Sequence, residues 1–112
     1  MSMQSTAIKV GNRTFSIALL NDVDFDQILF CHGVNDKDIK SFVDYDDQII
    51  IVRNKLQADH RQELILHELI HVCLGDVGIS ETEQMEQYTS ILAPRLSCLL
   101  SSGLFDVLEE LT

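Results

Sequence analysis

The sequence predicts an α+β fold: a short antiparallel or mixed sheet, then a helix carrying two histidines, then an antiparallel helix carrying glutamates. Three observations predict it. Strand-like runs, the first two alternating apolar and polar residues, occupy the first half of the chain, apolar runs of helical length occupy the second, and turn residues separate one segment from the next. At 112 residues and 46% apolar content, one domain over residues 1–112 with a single core is expected, and disorder is not.

Taken in order, residues 6–10 and 13–19 alternate around Gly11-Asn12, which predicts a hairpin. Residues 24–31 suit a short helix. Residues 39–44 and 48–52 flank the turn-forming Tyr45-Asp46-Asp47 and predict a second hairpin. Asp59 with Gln62 is placed to cap a helix that runs to about residue 74, with Gly75 as the residue that ends it. Ser80 and Glu83 have the spacing of a capping box, so the next helix is expected to begin at Ser80 and run towards Leu100, kinked near Pro94. A link this short makes the two helices antiparallel neighbours. Gly103 then separates a short terminal helix ending near Leu111.

The chemistry concentrates in His67-Glu68-Leu69-Ile70-His71, an H-E-x-x-H motif. Each helical residue turns about 100°, so residues four apart share a face and two imidazoles can ligate one Zn²⁺. Glu68, one step round, stands beside the ion's open position, where a carboxylate can act as general base towards a water. Leu64, Ile65 and Leu66 precede the motif, Val72, Cys73 and Leu74 follow it, and Glu68 is the one carboxylate between them. A helix so apolar on every side is expected to be buried and central, and ionisable groups there are costly unless paired or metal-bound. The alternative is a pair of core histidines bonded to backbone, with Glu68 in solvent.

A catalytic zinc takes three protein ligands. Glu81, Glu83 and Glu86 are the candidates for the third. Glu83 also serves as the capping partner of Ser80, and Glu81 and Glu83 both suit a first turn that favours negative charge. Glu86 lies a turn further in. Thr89, Leu92, Ala93 and Leu96 follow it as an inward stripe, so Glu86 is preferred, with Glu83 and Glu81 as alternatives. Asp76 follows His71 too closely to ligate and is better placed to hold an imidazole N–H. His60 shares the face of His67 but lies about 10 Å away along the axis, too far to share an ion. His32 receives no role.

These residues resemble a minimal gluzincin of the ImmA/IrrE type and the small zincin-like proteins encoded by phages. The resemblance rests on His67-Glu68-Leu69-Ile70-His71, the glycine-ended helix, and Glu86-x-x-Thr89-x-x-Leu92-Ala93-x-x-Leu96, and covers about residues 59–99. It implies a zincin-like fold, zinc held by His67, His71 and Glu86, Glu68 as general base, and cleavage of peptide bonds. The family pattern ends with a proline after a Leu-Leu pair. Pro94 stands too early after Glu86 to match, and alignment on Pro94 selects Glu81 instead. Such enzymes use a Tyr or His to stabilise the oxyanion, a role for which Tyr45, Tyr88 and His60 are candidates.

The remaining expectations are exclusions. A net charge of −10 argues against nucleic acid and anionic membrane surfaces as partners. Residues 1–10 lack a charged start followed by an apolar core, so no secretory leader is expected. Arg95, Asp106, Glu109 and Glu110 interrupt residues 91–111 and disfavour a membrane span. Cys31, Cys73 and Cys98 have no metal-type spacing and read as reduced, mostly buried thiols of a cytoplasmic protein. The expected partner is a protein or peptide substrate, extended along a sheet edge at residues 39–43 or 49–52. The expected function is therefore zinc-dependent peptide hydrolysis. The alternative is a catalytically inert zincin-fold adaptor or inhibitor, with or without zinc.

Overall fold

A computed structural model describes residues 4–112; residues 1–3, part of the stretch read for a leader, lie outside the described residues. The chain forms β1 (Gln4–Val10), β2 (Arg13–Leu20), α1 (Asp22–Cys31), β3 (Ser41–Asp44), β4 (Ile49–Arg53), α2 (Ala58–Asp76), α3 (Glu83–Ser101) and α4 (Leu104–Leu111). The architecture is α+β, with one mixed sheet of order β1-β2-β4-β3. β1/β2 and β3/β4 are the two antiparallel hairpins, and β2 and β4 run parallel, joined through α1 and β3.

That parallel pair fixes which strand is the edge. β4 lies between β2 and β3, so of the two candidate edges, residues 39–43 and 49–52, it is the first, as β3, that has an unpaired side among the described residues. Ile50, Ile51, Val52 and Arg53 of β4 are all buried, as expected of a strand covered on both faces. On one face Phe15, Ile50 and Val52 pack with Val72 of α2, backed by Leu64, Ile65 and Leu69. On the other, Leu20 and Ile51 pack with Phe25 and Leu29 of α1. Arg53 ties α1 to this face. Its guanidinium donates to Asp22 and Asp26 at 3.1 and 2.6 Å, its Nε–H donates to the Ile39 carbonyl at 2.8 Å, and it lies 4.1 Å from the Phe25 ring centre. Arg53 holds the Asp22 carboxyl below the usual carboxylate range.

α2 is covered less completely than its apolar sequence predicts. Only Glu68, His71 and Val72 are buried, because the sheet covers one side, α3 a second, and the third is open. The same opening exposes Cys73, and Cys31 and Cys98 are exposed too, correcting the expectation of buried thiols. Two helix boundaries also move. Gln57 precedes α2 with no side-chain cap, and Asp59 sits in the first turn instead of capping it. At the other end Gly75 is helical, and Gly78, at φ 80°, is the left-handed residue. The Ile79 N–H donates to the Leu74 carbonyl and the Gly78 N–H to that of Gly75, which closes the helix as a Schellman motif.

α3 begins at Glu83, its cap two residues later than Ser80. Thr82 is its N-cap, and the Thr82 hydroxyl accepts from the Met85 N–H at 3.1 Å. Both residues are good caps, so packing decides between them. Thr89, Ala93 and Ser97, spaced by four, are the buried residues of α3. Leu92, expected on that inward stripe, is 48% exposed. α3 runs without interruption through Pro94, and the Arg95 guanidinium donates to the Ile91 carbonyl at 2.9 Å. Among the described residues no single helix is long and apolar enough to cross a membrane; α3 and α4 together reach that length and composition, bent by 65°.

Candidate metal centre

His67 and His71, four residues apart on α2, turn their Nε2 atoms towards each other at 3.1 Å. Glu86 of α3 meets both, Oε1 at 3.0 Å from His67 Nε2 and Oε2 at 2.7 Å from His71 Nε2. All three donor atoms lie within 4.8 Å of one another. Ligands about 2.0–2.1 Å from a tetrahedral ion stand about 3.3 Å apart, so the observed spacing is close to that of a common ligand set.

The hydrogen-bond chemistry of the set is restrictive. The other ring nitrogen of His71, Nδ1, makes a short contact with a carboxylate oxygen of Glu81. Glu81 accepts, so Nδ1 carries the proton and the lone pair of Nε2 faces inward. That lone pair confronts the Glu86 carboxylate and the His67 imidazole. Such an arrangement suits a proton shared between the carboxylate and an imidazole, or a metal ion held among the three atoms. Two imidazoles and a carboxylate are borderline donors of the kind Zn²⁺ takes, so the residues present fit that ion and could hold it.

The late start of α3 explains the division of labour between the glutamates. Because the helix begins after Thr82, Glu81 precedes it and reaches back to His71. Glu83 sits exposed in the first turn and lines no part of the site. Glu86, three residues further along the same first turn, is the residue brought to both imidazoles. Asp76, expected to hold an imidazole, instead points its carboxylate at the β1–β2 turn. A Cβ on Gly11 would lie 2.5 Å from Asp76 Oδ2, so the glycine there makes room for it.

A cleft of about 370 Å³ opens between these donors and the edge of β3. Glu68 lines it, 9% exposed, and its Oε2 accepts from the Ser41 hydroxyl at 2.7 Å. Ser41 carried no flag in the sequence. The available signal was a hydroxyl two residues before Val43, on a strand face that otherwise packs against α2. Replacing it tests the contact: Ser41→Ala leaves a buried carboxylate short of a donor. It is expected to destabilise the fold by about 1–3 kcal/mol in urea unfolding, and unchanged stability would remove Ser41 from the site.

Tyr45, in the turn after β3, lines the same cleft. Partial burial, then the charges of Glu81 and Glu68, raise its phenol above the ordinary 10.0 against a smaller opposing pull from Arg13. It is therefore a neutral hydrogen-bond donor at neutral pH. Tyr88 lies outside the cleft, 48% exposed, its hydroxyl accepting from Gln84. His60, in the first turn of α2, does not line the cleft either. His32 caps the end of α1 and faces Asp44 at 3.4 Å.

Comparison of the chain with protein-family models, with curated proteins and with solved structures finds no match.

Proposed function

We propose that this chain is a zinc-dependent peptidase acting on intracellular protein substrates in the cytoplasm, with His67, His71 and Glu86 as ligands. The observation that carries the reading is the convergence of these donors on one wall of a cleft whose opposite wall is, among the described residues, an unpaired strand edge. Exposed free thiols at Cys31, Cys73 and Cys98 suit a reducing compartment.

Bound Zn²⁺ supplies Lewis-acid polarisation of the scissile carbonyl and lowers the pKa of water. The chain's own residues do the rest. An extended peptide adds to the free edge of β3 through backbone hydrogen bonds. With Oε2 of Glu68 held by Ser41, its Oε1 is free to accept a proton from the attacking water and pass it to the leaving amine. Tyr45, kept protonated, donates to the oxygen that gains charge. Glu81 fixes the ring of His71 and makes it a better electron donor.

A second reading, an inert zincin-fold adaptor or inhibitor, is favoured by the exposed apolar side chains of α4, Phe105 at 69% and Leu111 at 77%. Metal content tests the part common to both metal-bearing readings. Protein purified without added zinc is expected to carry about one equivalent. After stripping, zinc at a hundred times its Kd is expected to stabilise by about 2.7 kcal/mol, raising Tm by roughly 10 °C. Absence of zinc together with an unmoved Tm would sink the metal site.

A further inference from the structure

We propose that a second cavity, behind the edge strand β3, is a subsite for the lysine or arginine side chain of a peptide lying along that edge. The proposal rests on the reading of β3 as the peptide-binding edge and adds the chemical class of the substrate.

The cavity, about 390 Å³, lies on the α1 side of the sheet. It shares Phe42, Val43 and Tyr45 with the cleft of the candidate metal centre, so the two meet along β3. Side chains of β3 divide between them. Ser41 reaches Glu68 and Val43 packs with the α2 core, while Phe42 packs with the α1 core and Asp44 reaches His32. A strand added beside β3 follows the same alternation, because successive side chains leave a strand on opposite faces. A peptide residue turned towards the donors therefore has neighbours turned towards the second cavity.

The chemistry of that cavity selects its occupant. Leu29, Val34 and Ile39 line it and are apolar. Asp44 supplies the polar wall, its side chain only 9% exposed. Oδ1 of Asp44 accepts from the Asp47 N–H at 3.1 Å, while Oδ2 has His32 Nε2 at 3.4 Å, too long for a good hydrogen bond. Asp46 adds a second carboxylate, and among the described residues no lysine or arginine lines the cavity. An aliphatic stem ending in an ammonium or guanidinium satisfies both parts at once, methylenes on the apolar residues and charge on Asp44. A glutamate there meets the carboxylates of Asp44 and Asp46, and a purely aliphatic side chain leaves Asp44 Oδ2 with no closer partner than His32 at 3.4 Å.

The test uses N-acetyl-lysine methylamide and N-acetyl-norleucine methylamide, titrated into the full chain and followed by the methyl resonances of Leu29, Val34 and Ile39. The lysine derivative is expected to shift them and to bind about tenfold more tightly than norleucine, the scale of one charge-assisted hydrogen bond. Asp44→Asn is expected to abolish the difference. Asparagine keeps the Oδ1 acceptor for Asp47, and an unchanged Tm verifies the fold. Norleucine binding as well as lysine, or a lysine advantage surviving in Asp44→Asn, overturns the subsite. Peptide cleavage by zinc-loaded protein separates this from the peptidase reading. Cleavage with no preference for basic residues defeats the subsite alone, and lysine binding without any cleavage defeats the peptidase alone.

Discussion

Glu68→Gln is expected to leave zinc content unchanged and to lower peptide cleavage by roughly 10²–10⁴-fold, the usual worth of a positioned general base. Glutamine is nearly isosteric, and its amide oxygen still accepts from the Ser41 hydroxyl, so the 2.7 Å contact and the buried packing survive. Only the ability to take a proton is lost. Glu68 is not among the three donors that converge, so metal affinity has no reason to fall. The measurement is cleavage of a basic, extended peptide by mass spectrometry, on wild type and variant of equal zinc content. Cleavage by the variant at the wild-type rate removes Glu68 as the base. A zinc-loaded wild type that cleaves no peptide or protein offered, at any concentration, moves the balance to the adaptor reading, for which the exposed apolar face of α4 is then the surface to pursue.

Much of this arrangement was legible in the sequence because it is local. The i, i+4 spacing of His67 and His71 depends on helix geometry alone, and both hairpins are announced by the turn residues between their strands, the first also by alternation. What escaped depends on which element lies beside which. Apolar residues around α2 predict full burial, yet a helix in a chain this small has too few neighbours to cover three sides, so Cys73 stays exposed. Gly75 and Gly78 are equally able to end a helix, and the choice of Gly78 is made where the Ile79 N–H finds the Leu74 carbonyl. Ser80 and Thr82 compete as caps in the same way. Moving the cap to Thr82 converts Glu81 from a first-turn residue into the partner of His71, a role for which spacing along the sequence favours Asp76. Ser41 is separated from Glu68 by 27 positions, and no periodicity connects them. The parallel pairing of β2 with β4, which leaves β3 as the free edge beside the cleft, is likewise a fact of assembly.

The same competition among glutamates yields the second large effect, on metal affinity. Glu86→Ala is expected to weaken zinc binding by more than about a hundredfold, beyond the 10–100-fold that loss of an outer partner brings. Glu81→Ala is expected to fall within that 10–100-fold range, because Glu81 touches His71 at Nδ1 and leaves Nε2 to the shared point. Glu83→Ala is expected to change affinity by less than about twofold, since its carboxylate lines no part of the cleft and a charge at that remove is screened by solvent. Each substitution removes one negative charge, so the change in net charge alone would move all three alike. Competition against a chromophoric chelator measures the three affinities directly. A loss at Glu81 equal to or greater than that at Glu86 makes Glu81 the third ligand, as alignment on Pro94 would have it. A dominant loss at Glu83 would require α3 to begin elsewhere, because from the first turn set by Thr82 its carboxylate does not line the cleft.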